Sequence, residues 1–280
     1  MVYFPVDIEK AIARECKRRG YSEKTIKSYT YCINYFLKFT NKPLNKISKK
    51  DVRLFLENLS EKDMAGNTMN VYHMAIRFLF QDVLDKKIWI NIKYSKIPKK
   101  LPLVLTKEEV KKLFNAINNK KHRLMIRLMY AAGLRVSELL NLKINDLEIS
   151  KSYGYVRKGK GDKDRIFIIA DALKDDLTKL IGSKKLNELE YLFTNNKKTK
   201  YNISTPRMII KKATGEAGIN KKISCHTLRH SFATHLIENG YSIAEVQALL
   251  GHKSPETTFV YVHTASPNMI KVKSPLDNLQ

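Results

Sequence analysis

The sequence predicts a mainly α-helical chain in two domains, with a small antiparallel β-sheet in the second. Three observations carry this. Apolar residues recur at helical spacing through residues 1–90, and a proline- and lysine-rich stretch at 91–103 interrupts them. Beyond that, three short strand-like segments stand between two blocks of helical pattern. The 280 residues suit two ordinary domains of about 100–200 residues each. At 43% apolar and 28% charged, the chain has enough hydrophobic residues for a core in both halves.

A first helix is expected near residues 7–19. Ser22-Glu-Lys-Thr25 opens a second, with Ile26, Tyr29, Ile33, Phe36 and Leu37 on one face. Ser48 is an N-cap, followed by Val52, Phe55, Leu56 and Leu59. Gly66-Asn67-Thr68 is expected to break the chain before a fourth face made of Met69, Tyr72, Ile76, Leu79, Phe80 and Val83. These four helices make a domain over 1–90, whose Tyr and Phe belong to its core rather than to a base-stacking surface. Residues 91–103 carry two prolines, four lysines and no periodicity, which describes a basic linker. Thr106-Lys-Glu-Glu109 is a capping box that starts a second domain over 104–265.

In that domain one helix follows the capping box, the next ends at Gly133, and a short one spans Val136 to Leu142. Strands are expected at 146–149, 153–158 and 165–169, with Gly159-Lys-Gly-Asp-Lys163 joining the last two. Helices resume at 171–182, 205–217, 227–239, 243–250 and 255–261. Ser242-Ile-Ala-Glu245 is a further capping box, and Ser254-Pro255 places Pro at a first helical position. Residues 266–280 form a tail, too apolar at Met269, Ile270 and Val272 to be left in water at no cost.

Charge sets the class of partner. The chain holds 52 Lys+Arg against 27 Asp+Glu, a formal +25. Both halves share it, with 21 against 10 in residues 1–100 and 31 against 17 in 101–280. A surface so basic implies a polyanion, and two basic domains could face one polyanion from opposite sides. No stretch approaches the roughly 18 apolar residues of a membrane span, and no basic amphipathic terminal helix or lipidation motif points to a membrane surface. Residues 1–7 lack the pattern of a secretory signal. Three scattered cysteines (Cys16, Cys32, Cys225), without a CxxC, argue against a disulfide framework and a thiolate zinc site. A cytoplasmic protein is expected.

Four segments bear chemistry: Gly133-Leu-Arg135-Val-Ser-Glu138-Leu; Gly159-Lys160-Gly-Asp-Lys163; Cys225-His226-Thr-Leu-Arg229-His230; and Leu250-Gly-His252, with Tyr261 nine residues on. Singly, each has a plain reading as surface charge, loop lysine or packed ring. His226 and His230 share a helix face, as zinc ligands can, but the metalloprotease pattern needs Glu at 227 and Thr227 stands there. Neither metal nor cofactor is expected.

Together the segments resemble the tyrosine recombinases, or phage integrase family. The order Arg, hairpin Lys, His-x-x-Arg, His, Tyr runs through 104–265. The flanking residues fit as well: Tyr130-Ala-Ala-Gly-Leu-Arg-Val-Ser-Glu-Leu139, His226-Thr-Leu-Arg-His-Ser-Phe-Ala-Thr-His235 and Leu249-Leu-Gly-His252. The likeness is strongest to the Xer branch, particularly its single-protein archaeal form. It implies an N-terminal four-helix core-binding domain and a C-terminal catalytic domain. It also implies a catalytic set of Arg135, Lys160, His226, Arg229, His252 and Tyr261.

The chemistry is coherent on its own terms. Reversible cutting of a phosphodiester without a cofactor needs a nucleophile whose ester conserves the bond energy, and tyrosine forms such intermediates. Arg135 and Arg229 suit the charge spread over the non-bridging oxygens, because guanidinium offers a planar fork. A loop lysine can give the leaving 5′-oxygen its proton. The resemblance puts that role on Lys160, with Lys158 and Lys163 as near neighbours. It makes His226 a base or phosphate contact and His252 a hydrogen-bonding support; Glu138, outside that set, reads as a structural residue that buttresses Arg135 or a loop.

The expected reaction is site-specific recombination of duplex DNA through a 3′-phosphotyrosyl intermediate, in chromosome-dimer resolution. The alternatives are integration of a mobile element, strand passage as in type IB topoisomerases, and an inactive DNA-binding protein. The resemblance further implies inverted-repeat DNA arms, a homotetramer on two DNA sites, a DNA-translocating ATPase as partner, and a tail that docks on a neighbouring subunit, the alternative being a tail packed on its own domain.

Overall fold

The structure, a computed structural model, describes residues 7–86, 93–95, 101–157, 164–183 and 191–251. The chain divides into two compact units, Met1–Lys99 and Lys100–Gln280.

The first unit contains α1 (Ile8–Arg18), α2 (Glu23–Thr40), α3 (Lys49–Glu61) and α4 (Gly66–Phe78), the last continued by a π-helical turn over Leu79–Val83. Three of the helices begin where a side chain can take up an orphan backbone N–H. Asp7, Ser22 and Ser48 accept from the residues three ahead of them. Ile12, Ile33, Phe36, Phe55, Leu59 and Ile76 are fully buried between the helices. Phe36 and Phe55 meet edge to face with centroids 5.1 Å apart. Tyr72 and Phe80 are buried too, whereas Tyr31 and Phe39 remain exposed on α2. The expected break at Gly66–Thr68 is not there. Those residues form the first turn of α4, and the chain turns earlier, where Asp63 takes φ +51°. Glycine keeps its backbone N–H and costs a helix only about 1 kcal/mol of backbone entropy, which does not stop α4.

The second unit contains α5 (Lys107–Asn115), α6 (Lys120–Ala131), α7 (Val136–Asn141), β1 (Leu147–Glu148), β2 (Tyr153–Val156), β3 (Arg165–Ile168), α8 (Asp171–Gly182), α9 (Ser204–Glu216), α10 (Cys225–Glu238) and α11 (Ile243–Leu250). The strands form an antiparallel sheet in the order β1-β2-β3, with Tyr153 opposite Ile168 and Val156 opposite Arg165. The fold class is as the sequence predicts: mostly helical, with one small antiparallel sheet.

The strands are shorter than their composition suggests. Single 3₁₀ turns at Ile144–Asp146 and Ile149–Lys151 flank β1. Asp146 holds the first of them, accepting from Lys143 N at 2.8 Å and Arg157 Nε at 2.8 Å. Helix α10 runs through the unit with most of its length buried, polar positions included. Ser231 accepts from Leu105 N at 2.9 Å and donates to Thr227 O at 2.8 Å. The Tyr130 hydroxyl lies 2.7 Å from His235 Nδ1. Its buried polar groups therefore have partners, as burial requires. Thr227 closes the capping box of α10 with Ser224. Among the described residues, no helix is long and apolar enough to cross a membrane. Pro98 of the linker, the 159–163 connection, the 255–261 helix and the tail lie outside the described residues.

Candidate active site

Gly133 carries the chain out of α6 with φ +56°. A Cβ there would lie 2.4 Å from Phe232 Cδ1, so both the conformation and the contact demand glycine. Two residues on, Arg135 occupies the N-cap position of α7 with extended backbone (φ −69°, ψ 150°). Glu138, three positions into the helix, accepts from Arg135 N at 2.9 Å and from Arg135 Nη1 at 2.5 Å. One carboxylate thus satisfies the N-cap N–H and aims the guanidinium, which is the glutamate half of a capping box.

Glu138 is only 7% exposed and meets more than one arginine. Its Oε2 accepts from Arg165 Nη2 at 2.7 Å, and Arg229 Nη1 lies 3.7 Å from the same oxygen. Burial alone would push this carboxyl up. The Arg165 charge, with hydrogen bonds from Arg135 and Arg165, outweighs it and holds the group below its ordinary value. Glu138 is therefore an anion beneath three cations.

Arg229 projects from α10 and is 3% exposed. Its Nη1 donates to Gly133 O at 2.5 Å and its Nη2 to Leu250 O at 2.6 Å. Leu249 O, one residue earlier, accepts from Arg165 Nη1. Both carbonyls end α11, where they lack helical partners and the helix dipole favours a cation. Gly251 follows with φ +62°, and a Cβ there would press on Arg165 Cδ at 2.7 Å.

His226 sits in the first turn of α10, three residues before Arg229. Partial burial, then the charges of Arg229, Arg135 and Arg207, push its imidazole below the ordinary range. His230, one turn further on, has its ring centroid 6.4 Å from that of His226. Burial, His226 and Arg229 together push it down to about 4. Among the described residues, no group of three His, Cys, Asp or Glu side chains could hold a metal ion. Fixed guanidiniums beside an imidazole form a site able to hold an oxyanion.

Of the six residues the sequence selects, the structure gathers Arg135 and Arg229 around Glu138, with His226 close enough to both arginines to feel their charges, although 96 positions separate Gly133 from the Arg229 bonded to it. Lys160, His252 and Tyr261 lie outside the described residues, as do Lys158 and Lys163. Arg165 is the site residue that sequence reasoning left unused. A signal for it existed, because residues 165 and 167 share a strand face and Phe167 is fully buried. An arginine on a buried face needs an anion.

Known proteins agree with this architecture. Residues 103–267 match the Phage integrase family, and residues 9–91 match the Phage integrase N-terminal SAM-like domain. The chain belongs to the phage integrase family of tyrosine site-specific recombinases. It is 36% identical over 267 residues to Tyrosine recombinase XerA of Pyrococcus horikoshii, covering 94% of this chain and 91% of that protein. It is also similar to the crystal structure of a XerA recombinase, with TM-score 0.56, 31% identity and coverage of 95% and 96%. Against XerH site-specific recombinase in a post-cleavage complex with palindromic difH substrate, the TM-score is 0.75 at 26% identity, covering 98% of this chain and 86% of that one.

Proposed function

We propose that this enzyme cuts and rejoins duplex DNA through a covalent bond to Tyr261, and that its role is Xer-type resolution of chromosome dimers in the cytoplasm. One observation carries the reading: Arg135 and Arg229 converge on a single buried carboxylate, and both lie close enough to His226 for their charges to act on it. In this reading the two arginines hold the non-bridging oxygens of the scissile phosphate. The Tyr261 hydroxyl attacks phosphorus, giving up its proton to His226 or to solvent. A tyrosyl ester to the 3′-phosphate forms as the bond to the 5′-oxygen breaks, and Lys160 protonates that oxygen as it leaves. His252 supports the phosphate by hydrogen bonding. The reverse steps with a second 5′-hydroxyl rejoin the strand without an external energy source.

Residues 1–90 are proposed as the core-binding domain, 91–103 as a basic linker, 104–265 as the catalytic domain and 266–280 as a subunit-docking tail. Both domains would face one duplex across inverted-repeat arms, with four protomers on two sites. The formal +25, shared by the two halves, supports a DNA partner, as do DNA-bound relatives such as the XerH complex.

The test is covalent trapping on a nicked duplex bearing the inverted repeat recovered by selecting bound DNA from a random pool. Tyr261→Phe removes one hydroxyl, so it should leave affinity within about twofold and abolish the trapped complex. Normal trapping by this variant would dismiss Tyr261 as the nucleophile.

A further inference from the structure

We infer that Arg165 is a positioning residue for the two-arginine clamp, an inference that rests on the phosphodiester chemistry proposed above. The observations are geometric. Arg165 opens β3, and its side chain crosses buried space to join two otherwise separate parts of the site. Its Nη2 donates to Glu138 Oε2 at 2.7 Å and its Nη1 to Leu249 O at the end of α11. Arg229 reaches the neighbouring carbonyl, Leu250 O, at 2.6 Å. The two arginines thus lie side by side on the last turn of one helix, and both border the Glu138 carboxylate.

That carboxylate is where the arrangement is decided. Oε1 holds Arg135 Nη1 at 2.5 Å, while Oε2 accepts from Arg135 N at 2.9 Å and from Arg165 Nη2 at 2.7 Å and has Arg229 Nη1 at 3.7 Å. Arg135 stays in place when Arg165 is removed, but Oε2 then keeps only a backbone N–H, and a buried carboxylate oxygen that has lost its charged donor draws in the next cation. Without Arg165 the next cation is Arg229. A direct pair with Glu138 would pull Arg229 from Gly133 O and Leu250 O, turning its fork away from a phosphate. Arg165 therefore occupies Oε2 with a charged donor and keeps the clamp from collapsing onto its own support.

Stability does not account for such a group. Buried ion pairs are often no better for folding than apolar residues of similar volume. The Arg165 Nε is moreover buried with no hydrogen-bond partner among the described residues. A fork oriented by two acceptors at the cost of its third donor suits a positioning role.

The experiment compares two scissile groups in the same nicked duplex, a normal phosphodiester and a methylphosphonate. The methylphosphonate lacks one charged non-bridging oxygen and so depends less on the clamp. Arg165→Ala should bind DNA normally and form covalent complex about a hundredfold more slowly on the phosphodiester, the scale of losing one oxyanion donor. On the methylphosphonate its deficit should shrink to within about threefold. Arg165→Lys keeps the charge but cannot fork between Glu138 and Leu249 O, so it should show the same pattern with a deficit of about tenfold. It carries the comparison alone if the alanine variant fails to fold. Equal slowing on the two substrates, or phosphodiester rates within about threefold of the unaltered chain, would overturn the inference. Failure of the unaltered chain to trap either DNA would remove the underlying reading as well, and is recognised by that control.

Discussion

Gly133→Ala would put a methyl group where the Phe232 ring already stands, at a residue whose φ of +56° disfavours any side chain. Steric overlap and backbone strain each cost about 1–3 kcal/mol, so urea unfolding should show a loss of about 2–5 kcal/mol. A loss under about 0.5 kcal/mol would mean the turn relaxes without cost. The turn matters because Gly133 O is one of the two carbonyls that hold Arg229. A second expectation concerns a residue beyond the described ones. Lys160→Ala should slow cleavage of a normal substrate far more than of a 5′-bridging phosphorothiolate, whose sulfur leaves without a proton. Equal slowing would move the acid to Lys158 or Lys163. At this scale much of the site was legible. Residue type and order singled out Arg135, His226 and Arg229, and of the two structural roles open to Glu138, bracing Arg135 or a loop, the contacts at 2.9 and 2.5 Å select Arg135. Arg165 escaped because its partners, Glu138 and Leu249, are 27 and 84 positions away.

Helices in this chain are legible at their starts. Ser48, Thr106, Ser224 and Ser242 each close a capping box, and in each the signal lies within four residues. The α3 box is the most heavily used. Asp51 accepts from Ser48 N at 2.9 Å and Ser48 Oγ at 2.8 Å, and Lys42 Nζ lies 2.6 Å from its other oxygen. The Lys42 hydrogen bond, then those from Ser48, lower its carboxyl to about 2 from an ordinary 3.8. A depressed carboxyl stabilises the fold above its unfolded value and loses that contribution as pH falls through the folded one. Asp51→Asn should therefore lower the Tm at pH 5–7, by an amount equivalent to about 1 kcal/mol, with the gap narrowing between about pH 4 and 2. A gap unchanged at pH 2 would refute the assignment. The misjudged elements were those without such local marks. Gly66 looks like a breaker in sequence and is an ordinary first-turn residue. The length of β1 depends on how Asp146 reaches Lys143 and Arg157.

For the whole molecule, charge makes the clearest prediction. If both basic units engage phosphates, DNA affinity should fall by about a thousandfold or more between 50 and 200 mM salt, the dependence expected of some six or more phosphate contacts. A fall of less than about tenfold, followed by fluorescence anisotropy, would mean that most of the +25 formal charge faces away from the nucleic acid. By itself the sequence determined the helical class, the small sheet, the basic character and the order of the candidate residues. All of these are written in short-range periodicity, capping residues and composition. Only the tertiary structure decided which side chains share a carboxylate. Arg135 and Glu138 come from the start of α7, Arg229 from α10 and Arg165 from β3, and they meet through the packing of α10 and α11 around the turn at Gly133. The physical reason is that periodicity reports which face an element buries, whereas a buried charge takes the partner that the completed fold brings within about 3–4 Å.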